Sequence, residues 1–176
     1  AHRGFFPIQQ LETYCKDGGS LPEHPAPHGT PGVEAATGSL GHGLSLGLGM
    51  ALAGRIHDHK YRVFTLLSDG ECNEGSVWEA ALFAAAQRLD SLVSIIDFNK
   101  WQATGRSQEI LALDPLAAKW EAFGWNVHEV DGHDLKALSR LLDKVPDGSR
   151  RPIAIIAHTI KGKGVSFMED DNNWHY

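Results

Sequence analysis

Two short apolar runs, residues 62–67 (RVFTLL) and 92–96 (LVSII), flank an Ala-rich helical stretch over 77–89 (VWEAALFAAAQRL). Neither run alternates strictly between apolar and polar, as a strand with one wet face would. Continuous β-branched and aromatic character marks strands buried in a parallel sheet. Parallel neighbours need a long crossover, and the roughly 30 residues available fit one helix, so this is a right-handed β-α-β unit. Later segments extend the pattern. Asp114 and Pro115 open a helix, with Asp114 as N-cap and Gly124 just past its end. A strand follows over 127–130, then an amphipathic helix over 135–145 with Leu135, Leu138, Leu141 and Leu142 on one side, then a strand over 153–157 (IAIIA). The alternation predicts an α/β fold: a mostly parallel sheet with helices on both faces.

Upstream, residues 15–39 are rich in Gly, Pro, Ser and Thr and read as one long functional loop. A helix follows over 40–56, with Leu40, Leu44, Leu48 and Leu52 as its apolar ridge. Gly43, Gly47 and Gly49 leave another face nearly bare. Each interior glycine costs a helix about 1 kcal/mol, so the face serves either tight helix packing or close approach by a backbone or ligand.

At 176 residues the chain is expected to be a single domain, long enough to bury a core without staples. Its formal charge of −6 argues against a nucleic-acid binder, which needs a basic surface. No apolar run reaches the roughly 20 residues of a membrane span. The two cysteines, Cys15 and Cys72, form no disulfide framework and fit a reducing, cytoplasmic setting. The chain opens Ala-His-Arg-Gly with no initiator Met, and is read as part of something longer that lacks an N-terminal segment.

Chemistry is expected at the carboxyl ends of the parallel strands. The first run leads into Ser68-Asp69-Gly70 and the second into Asp97-Phe98-Asn99. Neighbouring strands lie about 4.8 Å apart, so adjacent strands would let Asp69 and Asn99 reach one cation. A carboxylate with an amide carbonyl suits Mg²⁺ or Ca²⁺ rather than zinc. Two protein ligands leave positions for water and phosphate oxygens, which points to a diphosphate ligand. Gly70 lets backbone approach it, and the helix starting near Ser76 turns its positive end the same way. Equally, Asp69 and Asn99 read as ordinary strand-end turn residues. Of the ten histidines, His24 with His28 and His57 with His59 are the zinc candidates. The first pair is broken by prolines without a third ligand, and the second reads as an exposed loop.

The stretch SDGECNEGSVWEAALFAAAQRLDSLVSIIDFNKWQATG resembles the thiamine diphosphate signature of transketolases, which begins Gly-Asp-Gly and closes about 30 residues later on Asn. Glu23-His24-Pro25, Pro31-Gly32-Val33-Glu34, Thr37-Gly38-Ser39-Leu40-Gly41, residues 159–165 (TIKGKGV) and Trp174-His175 match further family segments. The resemblance spans essentially the whole chain and is closest to the N-terminal subunit of split transketolases. It implies a diphosphate-binding domain holding thiamine diphosphate and Mg²⁺, with Ca²⁺ or Mn²⁺ as substitutes. It implies Asp69, the Asn99 side chain and the Trp101 main-chain carbonyl as metal ligands. Gly70 and Glu71 would lie at the diphosphate, and Ser39, Leu40 and Gly41 against the bridge between the cofactor's rings. His24 would face the donor sugar, His175 the diphosphate and substrate channel, and Glu74 a dimer interface beside the opposing site. A neutral imidazole both accepts and donates near pH 7, which suits proton shuttling.

Ser68 replaces the signature's first glycine, which requires φ below zero there. His42 stands where the family has Gln, and Phe98 where it often has Asn or Asp. Lys161 and Lys163 would face phosphates or simply form a solvated loop. The family's upstream Ser-x-Gly-His segment has no counterpart here. The glutamate that activates the cofactor belongs to the family's second domain, which does not fit in this length. The implied protein is therefore active only with a C-terminal transketolase-like partner, as a heterotetramer or through paired diphosphate-binding domains. The competing readings are a non-catalytic assembly subunit of the same fold, and a component of a deoxyxylulose-phosphate synthase or 2-oxo-acid dehydrogenase.

Overall fold

The computed structural model describes residues 1–175. Its α-helices and strands, in chain order, are α1 (Gly43–Ile56), β1 (Val63–Ser68), α2 (Gly75–Ala86), β2 (Leu92–Phe98), β3 (Trp101–Gln102), β4 (Gly105–Arg106), α3 (Ser107–Ile110), α4 (Leu116–Ala122), β5 (Asn126–Asp131), α5 (Leu135–Leu142) and β6 (Ile153–His158), with 3-10 turns at Ile8–Thr13, Gly70–Asn73 and Asn172–Trp174. Strands β1, β2, β6 and β5 form one all-parallel sheet in that order, and β3 pairs with β4 as a small antiparallel hairpin. No helix among the described residues is long and apolar enough to cross a membrane.

Side chains alternate across the two central strands. Leu92, Ile96, Ala154 and Ile156 join the larger core with residues of α1, α2 and α4. Val93, Ile153 and Ile155 form the smaller core, against which Leu138, Leu141 and Leu142 of α5 pack. Helices thus cover both faces of the sheet centre, as the alternation predicts. Strand β1 departs from the expectation of burial on both faces. Val63, Thr65 and Leu67 face inward, but Phe64 and Leu66 are exposed. The reason is position: β1 is an edge strand, and α5 packs on β5 at the other edge.

Other local expectations shift. The first helix begins at Gly43 rather than at residue 40, because Gly41 sits at φ +82°, outside helical space, and Leu40 stays exposed. Pro115, not Asp114, is the N-cap residue of α4, and no side chain caps that end. Helix α5 stops at Leu142, and Leu135 is exposed rather than on the buried side. The glycines of α1 divide by role. A Cβ on Gly47 would come within 2.3 Å of the Thr65 methyl, so this glycine lets α1 lie tight on β1, whereas Gly49 faces open space.

Residues 1–40 form a separate compact unit. Its one regular element is a 3-10 helix, Ile8–Thr13, and residues 15–39 carry no helix or strand.

Candidate functional site

Strands β1 and β2 are direct neighbours in register Ser68↔Asp97, so the residues just past their carboxyl ends come together. Asp69 is fully buried there. Its Oδ1 accepts from Gly70 N at 2.9 Å, and its Oδ2 accepts from Lys100 N at 2.8 Å and Ser107 Oγ at 2.9 Å. Asn99 Oδ1 accepts from Trp101 N at 2.9 Å. Asp69 and Asn99 therefore take the consecutive amides of Lys100 and Trp101, one on each. Lys100 makes this turn at φ +71°, a left-handed conformation uncommon for a side-chain-bearing residue.

Donor arithmetic tests the fit to a cation. A carboxylate offers about four acceptor positions and an amide oxygen two. Among the described residues Asp69 uses three and Asn99 one, which leaves each one lone pair. Burial pushes the Asp69 carboxyl above its ordinary value, although hydrogen bonds from Ser107, Gly70 and Lys100 pull it down. A buried anion in that condition is the kind a divalent cation stabilises. Among the described residues no three His, Cys, Asp or Glu side chains converge as a metal cluster. The donor set here is two side-chain oxygens plus main chain, which suits a hard cation completed by water or phosphate.

The turn after Asp69 is internally satisfied. Ser68 is the last residue of β1 and is not among the positive-φ residues; its Oγ accepts from Glu71 N at 3.1 Å. The Gly70 amide is spent on Asp69, and a Cβ on Gly70 would come within 3.1 Å of Gln102 Cγ. Glu71 is nearly buried, and its Oε1 accepts from Gly41 N at 2.8 Å, while Ser76 Oγ donates to Gly41 O at 2.9 Å. A Cβ on Gly41 would come within 2.5 Å of Ser76 Oγ and 2.6 Å of Glu74 Cβ. Glu71 and Ser76 thus hold Gly41 by both main-chain groups against the start of α2, where Glu74 is the exposed N-cap residue. His42 is exposed at the N-cap of α1, and Phe98 is a core residue stacked edge-on to His158.

The C-terminal segment supplies a second cluster. Lys161 Nζ lies 2.9 Å from both Asn172 Oδ1 and His175 Nδ1. Burial lowers the proton affinity of Lys161, opposed by the Asp69 charge. Burial and then Lys161 lower that of His175, favouring neutral imidazole. Within residues 1–40, a Cβ on Gly38 would strike the His24 ring at 2.7 Å, and Thr37 N donates to Pro25 O at 3.1 Å. His24 therefore lies on the segment leading to Ser39 and Leu40. The named residues fall into two sets: His24, Ser39 and Leu40 in the first unit, and the remainder in the second.

Sequence reasoning missed Ser107, the side-chain donor to Asp69, and the struts from Glu71 and Ser76 to Gly41. A serine 38 positions away carries no periodic or motif signal. The Glu71 strut is more visible in retrospect, since a buried carboxylate needs partners.

Comparisons with known proteins place the whole chain in one family. Residues 3–176 match the family model described as transketolase, thiamine diphosphate binding domain. The chain is 46% identical, over all its length and 63% of the relative's, to one subunit of an apulose-4-phosphate transketolase of Actinobacillus succinogenes. It is 43% identical, over 96% of its length and 62% of the relative's, to a 6-deoxy-6-sulfo-D-fructose transketolase subunit of a Clostridium species. The chain thus spans under two thirds of these relatives. Among solved structures, the transketolase of Campylobacter jejuni superposes at TM-score 0.86 with 28% identity, covering 94% of this chain and 27% of that one. A Pichia stipitis transketolase gives 0.87 with 27% identity, covering 96% and 26%.

Proposed function

The chain belongs to the transketolase family as a thiamine diphosphate-binding domain, and from that premise we propose that it is the cofactor- and Mg²⁺-binding half of a split ketol transferase. The enzyme moves a two-carbon unit from a ketose to an aldose. The observation that carries this reading is the buried Asp69 carboxylate beside Asn99, each with one acceptor position left.

Asp69, Asn99 and the Trp101 carbonyl would hold Mg²⁺, for which Ca²⁺ or Mn²⁺ would substitute, and Gly70 and Glu71 would lie at the diphosphate. When bound, thiamine diphosphate supplies the nucleophilic carbon and the electron sink for breaking and making the bond next to the carbonyl. This chain's residues bind, orient and move protons around it. Gly41, pinned by Glu71 and Ser76, sets the main chain that lines the cofactor together with Ser39 and Leu40. His175, its proton affinity lowered by burial and then by Lys161, would serve proton transfer near the diphosphate, and His24 would face the donor sugar's hydroxyl.

The activating glutamate and the pyrimidine groove come from a partner chain, as the naming of the relatives as subunits supports. Helix α1 also supports a covering partner: it has no charged side chain before Arg55, yet Leu46 and Met50 are exposed, as are Leu82 and Phe83 of α2. A helix apolar all round belongs in an interior. Glu74, exposed at the start of α2, falls at this interface, and the assembly is a heterotetramer working in the cytoplasm. The substrates are ketoses with an anionic far end, a phosphate by default, as the relatives' named sugars suggest.

The test is thermal stability of the assembled enzyme with and without thiamine diphosphate plus Mg²⁺. At about 100 times the dissociation constant the ligand adds about 2.7 kcal/mol, and Asp69→Ala removes the shift. No cation-dependent shift in the unaltered enzyme sinks the reading.

A further inference from the structure

We propose that Arg106, Asp170 and the Trp101 indole form a positioning clamp that couples the Asp69–Asn99 cation site to the placement of Lys161 and His175. The inference rests on the cofactor reading above and adds Arg106, Asp170 and the Trp101 indole, which that reading does not use.

The clamp is built on the β3–β4 hairpin, where Trp101 and Arg106 are register partners. Arg106 lays its guanidinium on the Trp101 ring, 3.8 Å from the centroid. Asp170 Oδ1 accepts from Trp101 Nε1 at 2.8 Å and Arg106 Nη1 at 2.7 Å, and Oδ2 accepts from Arg106 Nη2 at 2.6 Å. One carboxylate thus receives a planar fork and an indole donor, a geometry that fixes orientation as well as distance. Asp170 adopts φ +57°, a conformation a non-glycine residue holds only when its surroundings dictate it.

Each end of the clamp runs on to a functional group. At one end, Trp101 N is held by Asn99, and the Trp101 carbonyl is the third metal oxygen of the cofactor reading. At the other end, Asp170 N donates to Lys161 O at 2.8 Å. Two residues on, the Asn172 side chain donates to Ala103 O at 3.0 Å and accepts from Lys161 Nζ at 2.9 Å, and Lys161 meets His175. A Cβ on Gly162 would strike Met168 O at 2.4 Å, so the intervening turn closes as tightly as a glycine allows. The result is a closed circuit from Asn99 through the hairpin and Asp170 to Lys161 and His175.

The clamp is half-exposed, and exposed ion pairs add little to global stability. Its work is placement. A cation that fixes the Trp101 carbonyl fixes the hairpin, and the clamp passes that order to residues 161–175. By linkage, loosening the clamp weakens the cation.

The experiment uses the assembled enzyme, with Mn²⁺ affinity measured in the presence of thiamine diphosphate and hydrogen exchange followed over residues 101–106 and 161–175. In the unaltered enzyme, Mn²⁺ slows exchange at both segments. Asp170→Ala lowers Mn²⁺ affinity about 10-fold, as loss of a group supporting a ligand does, and abolishes the Mn²⁺-dependent protection of 161–175. Arg106→Ala gives the same loss, and the double variant is no worse than either alone. Asp170→Asn, which keeps an acceptor for the indole, recovers part of the affinity. The melting temperature without ligand stays near that of the unaltered enzyme. Unaltered Mn²⁺ affinity in both alanine variants, or retained protection of 161–175, overturns the clamp while leaving the cofactor reading intact. Absence of Mn²⁺ binding in the unaltered enzyme overturns both.

Discussion

Residues 1–40 and the α/β unit that follows hold their shapes by different means. In the first unit Thr30 is the one buried residue, and order comes from turns, a short 3-10 helix and rings laid on glycines, such as Phe5 over Gly32 and His24 over Gly38. The second unit contains both hydrophobic cores and the Asp69–Asn99 geometry. Asp69 and the strand ends around it are thus fixed by packing, whereas His24 lies on a segment with little burial of its own.

The contrast is broken most forcefully from within the core. Trp125 is fully buried, donates to Ala81 O at 2.9 Å and packs edge-on against Trp120 at 4.8 Å. Trp125→Ala is expected to cost about 3–5 kcal/mol in denaturant unfolding, whereas Ile8→Ala, at an exposed position of the first unit, stays within about 0.5 kcal/mol. Comparable losses at both would erase the distinction.

A finer cut lies within one helix. Gly47→Ala drives a methyl into Thr65 and is expected to destabilise by about 1–3 kcal/mol. Gly49→Ala, two residues on, meets nothing and is expected to stabilise by up to about 1 kcal/mol through helix propensity in the isolated chain. The same sign for both would contradict the packing.

The smallest effect is chemical. Burial pushes the Cys72 thiol up to about 12, with the Asp69 and Glu71 charges adding to it, so it stays protonated at pH 8. Iodoacetamide is expected to label exposed Cys15 in the native protein and Cys72 only after unfolding, counted by mass spectrometry. Rapid native labelling of Cys72 would show that the core around it opens.

The strands were legible because hydrophobic runs with β-branched residues have few alternative uses, and all four main strands lie within two residues of the expected positions. Strand β1 misled on its second face, because a run such as RVFTLL carries no mark of an edge. The N-cap at Asp114 and the helix start at residue 40 failed because local rules there yield to a proline and to the positive φ of Gly41. The strand ends brought Asp69 and Asn99 forward together but left open whether they share a cation or are ordinary turn residues. The supports were not legible at all: Ser107, the Glu71–Gly41 bond and the Arg106–Asp170 fork join residues 30 to 64 positions apart with no motif between them.

The central claim is that Asp69 and Asn99 grip one cation together. Mn²⁺ affinity of the assembled enzyme with thiamine diphosphate, measured for Asp69→Ala, Asn99→Ala and the double variant, tests it most directly. Each single variant is expected to lose affinity at least about 10-fold, and the double variant to lose less than the two losses combined. Unchanged affinity in Asn99→Ala, or fully independent losses, would mean that the two oxygens do not share an ion.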